Sequence, residues 1–282
     1  MKYITKETLT GERALYNLKE AIISECVFMD GESPLKESRD ITVNHSVFKW
    51  KYPVWYSQNI IINNSSLFST ARSGIWHSKN IEMNNCLIYA PKIFRRCDGL
   101  VLNNVTFFDA KETLWFCKNI KLTNVKAKGD YLGINSEDIE VDHLELDGNY
   151  LFDGGKNIVV RNSTLKSKDS FWNCENVTVY DSFIKGEYIG WNSKNLTFVN
   201  CKIESHQGFC YIKGLKLVNC TLANTDLSFE FCEDIDAEIV SEIDSVKNPL
   251  SGIIKAKKIN ELILDEQYVD LNKIEIKVSK DE

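Results

Sequence analysis

Four carboxylates, Asp130, Asp153, Asp169 and Glu187, stand among tryptophans and tyrosines in a chain whose apolar residues recur every 19 to 21 positions. Carboxylates in such company can act as general acids and bases on a saccharide. If the rhythm is that of stacked coils about 4.8 Å apart, Asp169 and Glu187 fall on neighbouring coils. That puts them near 5 Å apart, roughly the separation of a retaining glycosidase pair, whereas Asp130 and Asp169, two coils apart, approach the inverting range. The bland alternative is that these are solvated surface charges, common in any acidic solenoid. Around them, Arg72, Trp76, Arg95, Arg96, Trp115, Tyr131, Asn149, Trp172 and Trp191 form the expected ligand-binding set. Sugar rings present apolar faces to aromatics and hydroxyls to flanking polar groups. His77 and His206 can line the same surface. His45 and His143 sit in a structural column, and no metal-ligand spacing joins the four histidines, so no metal and no cofactor is expected.

The elements that must position these residues are set by a repeat. Ile60-Ile61-Ile62-Asn63-Asn64-Ser65-Ser66-Leu67 recurs as Ile81-Glu82-Met83-Asn84-Asn85-Cys86-Leu87-Ile88, and its first apolar position falls at Ala21, Ile41, Ile60, Ile81, Leu100, Ile120, Ile139, Ile158, Val177, Leu196, Leu215 and Ile235. Four residues on, a column of Asn64, Asn85, Asn104, Asn124, Asn162, Asn200 and Asn219 marks a corner, because Asn tolerates the left-handed bend and its amides can bond from coil to coil. Asn59, Asn80, Asn119, Asn157, Asn176 and Asn195 mark a second corner one residue before the coil start. Alternation on either side of the corner turns Ile120, Leu122, Val125 and Ala127 inward. The expected fold is all-β: a right-handed parallel β-helix, a three-faced solenoid of about 12 coils of 19–21 residues over 21–239. An N-terminal cap over 1–20 and a C-terminal cap over 240–282 cover its edges.

The third segment of each coil carries the chemistry. Five positions before the coil start stand Trp55, Trp76, Arg95, Trp115, Ile134, Asp153, Trp172, Trp191, Cys210 and Glu230. Strict alternation from the Ser57, Ser78, Cys97, Cys117 column would bury the tryptophans, and with them Arg95, Asp153 and Glu230. Burying unpaired charge costs several kcal/mol, on the order of 3–5. The favoured reading therefore turns the Trp column outward and Val54, Ile75, Phe94, Leu114, Phe152, Phe171, Phe209 and Phe229 into the core; a core Trp column is the alternative.

Several segments also resemble a known family: Gly11-Glu12-Arg13-Ala14-Leu15, Gly31-Glu32-Ser33-Pro34-Leu35-Lys36-Glu37, Trp50-Lys51-Tyr52-Pro53-Val54-Trp55-Tyr56 and Ala71-Arg72-Ser73-Gly74-Ile75-Trp76. The chain is similar there, from about residue 8 onward, to an uncharacterised bacterial family with a pectin-lyase-like β-helix. The resemblance implies fold and assigns no catalytic residue. Asn224-Thr225-Asp226 matches the first polygalacturonase motif, but the later Asp-Asp, Gly-His-Gly and Arg-Ile-Lys elements do not follow, and the lyase pattern Arg-x-Pro-x-x-Arg is missing.

Composition bounds the rest. A net charge of -6 and no uninterrupted basic stripe argue against nucleic acid. With neither a signal-like apolar stretch after Met1 nor an apolar run long enough for a bilayer, a cytoplasmic address and no membrane are expected. Nine cysteines without paired C-x-x-C spacing read as reduced thiols packed in the core. The functional expectation is a carbohydrate-binding or carbohydrate-modifying protein whose partner is an oligosaccharide. The rival is a non-catalytic scaffold or homo-oligomer joined through the Trp stripe.

Overall fold

The computed structural model describes residues 1–279, and among them there is no helix. The chain divides into two compact units, Met1–Glu145 and Leu146–Glu282. Each is wound as a right-handed parallel β-solenoid. In the first unit, Lys79–Ile88 pairs in register with Gln58–Asn63 on one side and Asp98–Phe107 on the other. Ile60, Ile81 and Leu100 thus form one column, and Ile62, Met83 and Leu102 the next. In the second unit, Ile158, Val177, Leu196, Leu215 and Ile235 align likewise. The predicted coil starts are register partners because every second side chain of a strand points the same way. A one-residue slip would expose the whole apolar column.

The winding runs further than the apolar pattern. Lys2–Thr5 pairs with Lys19–Ser24, placing Ile4 against Ile23, so residues in the expected N-terminal cap form a coil that begins at Lys2. Beyond Ile239, Gly252 aligns with Ile235 and Ile274 with Gly252. Within the expected C-terminal cap, Ile274–Val278 is therefore a further parallel strand. There are about 15 turns rather than 12. The added turns escape the pattern because Lys2 and Gly252 occupy two of their starts and Ile274 follows Gly252 only after 22 residues.

Two buried columns of small polar residues lock the coils. Ser57 Oγ accepts the Ser38 N–H at 3.2 Å and donates to the Leu35 carbonyl at 2.7 Å; Ser136 Oγ does the same for Cys117 N–H (2.9 Å) and Leu114 O (2.6 Å). Where the column holds Cys, the thiol donates in place of the hydroxyl, as Cys97 does to Ile75 O and Cys174 to Phe152 O. All nine cysteines are free and buried. They lie in the core as expected, and several also donate hydrogen bonds there. Burial pushes the Cys174 thiol far up, keeping it protonated and unreactive.

Left-handed corners are more numerous than the two the Asn columns announce. Besides Asn59, Asn80, Asn64 and Asn85, positive φ is adopted by Tyr52, Lys92, Glu112, Tyr131, Tyr150, Asp169 and Tyr188, eight residues before each coil start. It recurs four residues before it at Tyr56, His77, Arg96, Phe116, Asn173 and Asn192. Such conformations cost a residue other than Gly or Asn roughly 1–2 kcal/mol. They persist because the coil-to-coil ladder over-determines them.

Candidate functional site

The third segment pairs as Val54–Trp55, Ile75–Trp76 and Phe94–Arg95, extended by a bridge from Arg95 to Trp115. Val54, Ile75, Phe94, Leu114, Phe152, Phe171, Phe209 and Phe229 are fully buried, while Trp55, Trp76, Trp115, Trp172 and Trp191 are half-buried at the surface. The alternation thus places the tryptophans, Arg95 and Asp153 outside the core, whereas Cys210 and Glu230, at the far end of the same column, are buried, Glu230 with its charge paired to Lys247.

The rings are not free platforms. Four of the five indole N–H groups donate to a backbone carbonyl of the next coil: Trp55 to Ser73 (2.6 Å), Trp76 to Lys92 (2.9 Å), Trp115 to Tyr131 (2.7 Å) and Trp172 to Tyr188 (2.8 Å). So held, Trp55 and Trp76 stack at 5.3 Å and 8°, and the Arg95 guanidinium lies between Trp76 and Trp115, 4.5 and 4.6 Å from their centroids. Trp76 is covered on its two faces by Trp55 and the Arg95 guanidinium, and Trp115 carries Arg95 over one face.

In the second unit the packing is looser. Trp172 and Trp191 lie 5.9 Å apart at 36°, with Tyr150 edge-on to Trp172 and Tyr188 edge-on to Trp191. Asp169 sits beside these rings. Its carboxyl is raised above the ordinary carboxylate range by burial and by the charges of Glu187 and Asp153, against the pull of a Tyr150 hydrogen bond. Glu187, one coil on, is ion-paired to Lys168 at 2.8 Å, and the Asp169 N–H donates to the Glu187 carbonyl at 2.8 Å. Asn149 Oδ1 accepts the Lys168 N–H, and Asp153 accepts from Asn173 Nδ2 at 3.0 Å.

Of the predicted residues, Asn149, Asp153, Asp169, Trp172, Glu187 and Trp191 belong to this stretch. Arg72, Trp76, Arg95, Arg96, Trp115, Asp130 and Tyr131 belong to the first unit. Arg72 and Arg96 are exposed, and Asp130 offers its carbonyl to the Glu112 N–H. The sequence reading missed a pairing: His206 Nδ1 meets both oxygens of Asp226 at 2.8 and 3.0 Å, and Asp226 also accepts the Gln207 N–H. His206 and Asp226 each lie nine residues before a coil start, so aligning that column would have found them. Nearby, Glu230 is buried and paired to Lys247 at 2.8 Å, and Cys210 is pushed up to about 12 by burial and by the Glu230 charge. No group of three or more His, Cys, Asp or Glu among the described residues could hold a metal ion.

Because the folded state holds the Asp169 proton more tightly than the unfolded chain does, its contribution to stability is greatest below the unfolded pKa. That contribution is lost as pH rises through the raised folded value. Asp169→Asn is therefore expected to be at least as stable as the parent at pH 7 and to show a flatter acid-side stability profile. Thermal midpoints at pH 4 and pH 7 check this, and superimposable profiles would contradict the assignment.

The winding and the register of its columns define a parallel β-solenoid. More particularly, residues 2–277 match one family model, and the chain belongs to that family, described as protein of unknown function (DUF3737). No curated protein matches it. Among solved structures it is similar to the surface adhesin PfbA of Streptococcus pneumoniae (9% identity, 93% of this chain and 81% of that one, TM-score 0.39). It is also similar to the A-module of the Azotobacter vinelandii mannuronan C-5 epimerase AlgE4 (10%, 99% and 90%, 0.35). A third likeness is to the catalytic domain of a GH87 alpha-1,3-glucanase (10%, 99% and 63%, 0.35). At such identities and scores the likeness says nothing of the site.

Proposed function

We propose that this protein binds a saccharide on the third face of its coils, and that the second unit supplies the contact surface around Asp169, Glu187, Trp172 and Trp191. The carrying observation is that carboxylates, amides and ring edges stand there on successive coils, in unlike environments. Asp169 is raised by burial and like charge, while Glu187 is ion-paired to Lys168 at 2.8 Å. Carboxylates and amides bond sugar hydroxyls in pairs, and aromatic edges give the apolar contact.

The test is a glycan array followed by titration of bound oligosaccharides, read by tryptophan fluorescence. Specific binding is expected to perturb the emission and to be lost in Glu187→Gln, with the thermal midpoint unchanged. Failure of every glycan to bind would overturn the reading. A second reading, a self-associating scaffold, is favoured by the stacked ladder of the first unit, in which Trp55 and Arg95 already cover Trp76.

A further inference from the structure

The same six-residue segment of each coil, from nine to four positions before the start, changes sign between the two units. In the first unit, residues 51–56, 72–77, 91–96 and 111–116 hold six cations (Lys51, Arg72, Lys92, Arg95, Arg96, Lys111) against one carboxylate, Glu112, while the flanking coils 12–17, 32–37 and 130–135 carry Glu12, Glu32, Glu37 and Asp130 against Arg13 and Lys36, so the cationic face is the four-coil stretch 51–116. In the second, residues 149–154, 168–173, 187–192, 206–211 and 226–231 hold five carboxylates (Asp153, Asp169, Glu187, Asp226, Glu230) against one cation, Lys168, beside His206. Elsewhere the surface is neutralised coil by coil: Lys126 meets Glu145 at 3.0 Å, Lys185 meets Glu204 at 3.0 Å and Lys216 meets Asp236 at 3.1 Å. Among the described residues, Arg72, Arg96 and Lys111 have no ion pair, and neither do Asp153 and Asp169.

From this we infer that the cationic stretch of the third face over residues 51–116 is a docking surface for a second copy of this chain, which presents the acidic third face of its second unit. The inference builds on the self-association reading and goes beyond it by naming the two faces. Three observations select this occupant. First, the accessible charges are opposite: six cations to one carboxylate over residues 51–116, and one cation to four carboxylates over residues 149–231, Glu230 being buried against Lys247. Second, both faces are ruled at the same interval, since every parallel coil repeats at about 4.8 Å. Charges on one solenoid face can therefore meet charges on another coil for coil. Duplex DNA, with one charge per about 1.7 Å of axis, has no such match. Third, the cationic face is rigid: Arg95 is held between two indoles, and its Nε is buried without a hydrogen-bond partner. Tyr56 and Phe116 are 51% and 45% exposed beside Arg96, so apolar surface is available to bury with the charges. Guanidinium–carboxylate pairs supply orientation and partner choice more than raw affinity, and the net charge of -6 opposes association at long range. The complex should therefore be reversible and salt-sensitive. It would also cover Asp169 and Glu187, so that self-association and saccharide binding compete for one surface.

Sedimentation velocity of the full chain over a concentration series tests this, at about 20 mM and about 500 mM salt, where the screening length falls severalfold. Concentration-dependent association at low salt that is largely lost at high salt is expected. Arg72→Glu/Arg96→Glu and Asp169→Lys/Glu187→Lys should each reduce self-association at least tenfold, while an equimolar mixture of the two variants should recover a heteromeric complex. Circular dichroism confirms that each variant is folded. A monomer at every concentration and salt, an association indifferent to both charge reversals, or no complex in the mixture would overturn the inference. So would a monomer that binds polyuronate or DNA through Arg72 and Arg96. Glycan binding by the dilute monomer is read separately, so either proposal can fail while the other stands.

Discussion

Phe171→Ala is expected to destabilise the second unit by roughly 3–5 kcal/mol, the usual loss for a buried phenylalanine. The ring is fully buried between Phe152 (6.3 Å) and Phe198 (6.4 Å), where surrounding coils cannot close over a cavity without breaking their register. A second substitution separates packing from backbone. Phe171 has φ +59°, a left-handed conformation that strains alanine and leaves glycine at ease. Phe171→Gly should therefore be no less stable than Phe171→Ala. Phe198 is equally buried but lies inside the strand Lys194–Val199 and is not among the positive-φ residues. There glycine should be worse than alanine by about 0.5–1 kcal/mol. Urea unfolding of the four variants measures both differences. The same ordering at the two sites would refute the account of the corners.

Gly186→Ala is expected to cost roughly 3 kcal/mol and to disturb the candidate site with it. A β-carbon there would stand 2.0 Å from the Ser167 carbonyl oxygen and 3.2 Å from the Lys168 nitrogen, both backbone atoms of the adjacent coil. Neither can rotate away, so the coils must part. Glu187, the next residue, would be drawn off Lys168, its partner at 2.8 Å. Gly11→Ala is the comparison: its new methyl meets nothing within 4 Å, and it carries only the strain of φ +87°, about 1 kcal/mol. Denaturation midpoints give the stabilities. Saccharide titration of Gly186→Ala should show weakened binding even where the variant remains folded.

Most of the winding was legible in the sequence because a parallel solenoid puts like residues in columns, and apolar columns such as Ile60, Ile81 and Leu100 declare themselves. The outer turns were not legible: Lys2 and Gly252 begin them, and Gly252 follows Ile235 after 17 residues while Ile274 follows after 22. Corners built on Asn announce their backbone. Those built on Tyr52, Lys92, Glu112 and Tyr188 do not, since nothing in these side chains advertises a left-handed residue. At the site, the outward tryptophans followed from Arg95 and Asp153 in their column, whereas Glu230 is buried there because Lys247 pairs with it. The covering of Trp76 did not, because it depends on indole N–H groups reaching carbonyls one coil away. The His206–Asp226 pair was hidden by reading each histidine singly rather than down its column.

Parallel sheets are ordinarily slow to form, because their partners lie far apart along the chain and the loop between them must close first. Here Ile60 finds Ile81, and Ile81 finds Leu100, one turn away. Nearly every pairing spans a similar distance, which corresponds to a relative contact order of about 0.07, in the range of small helical bundles. Each completed turn is the template for the next, so either unit can start the process from any seeded coil. This all-β chain has the conformational search of a zipper.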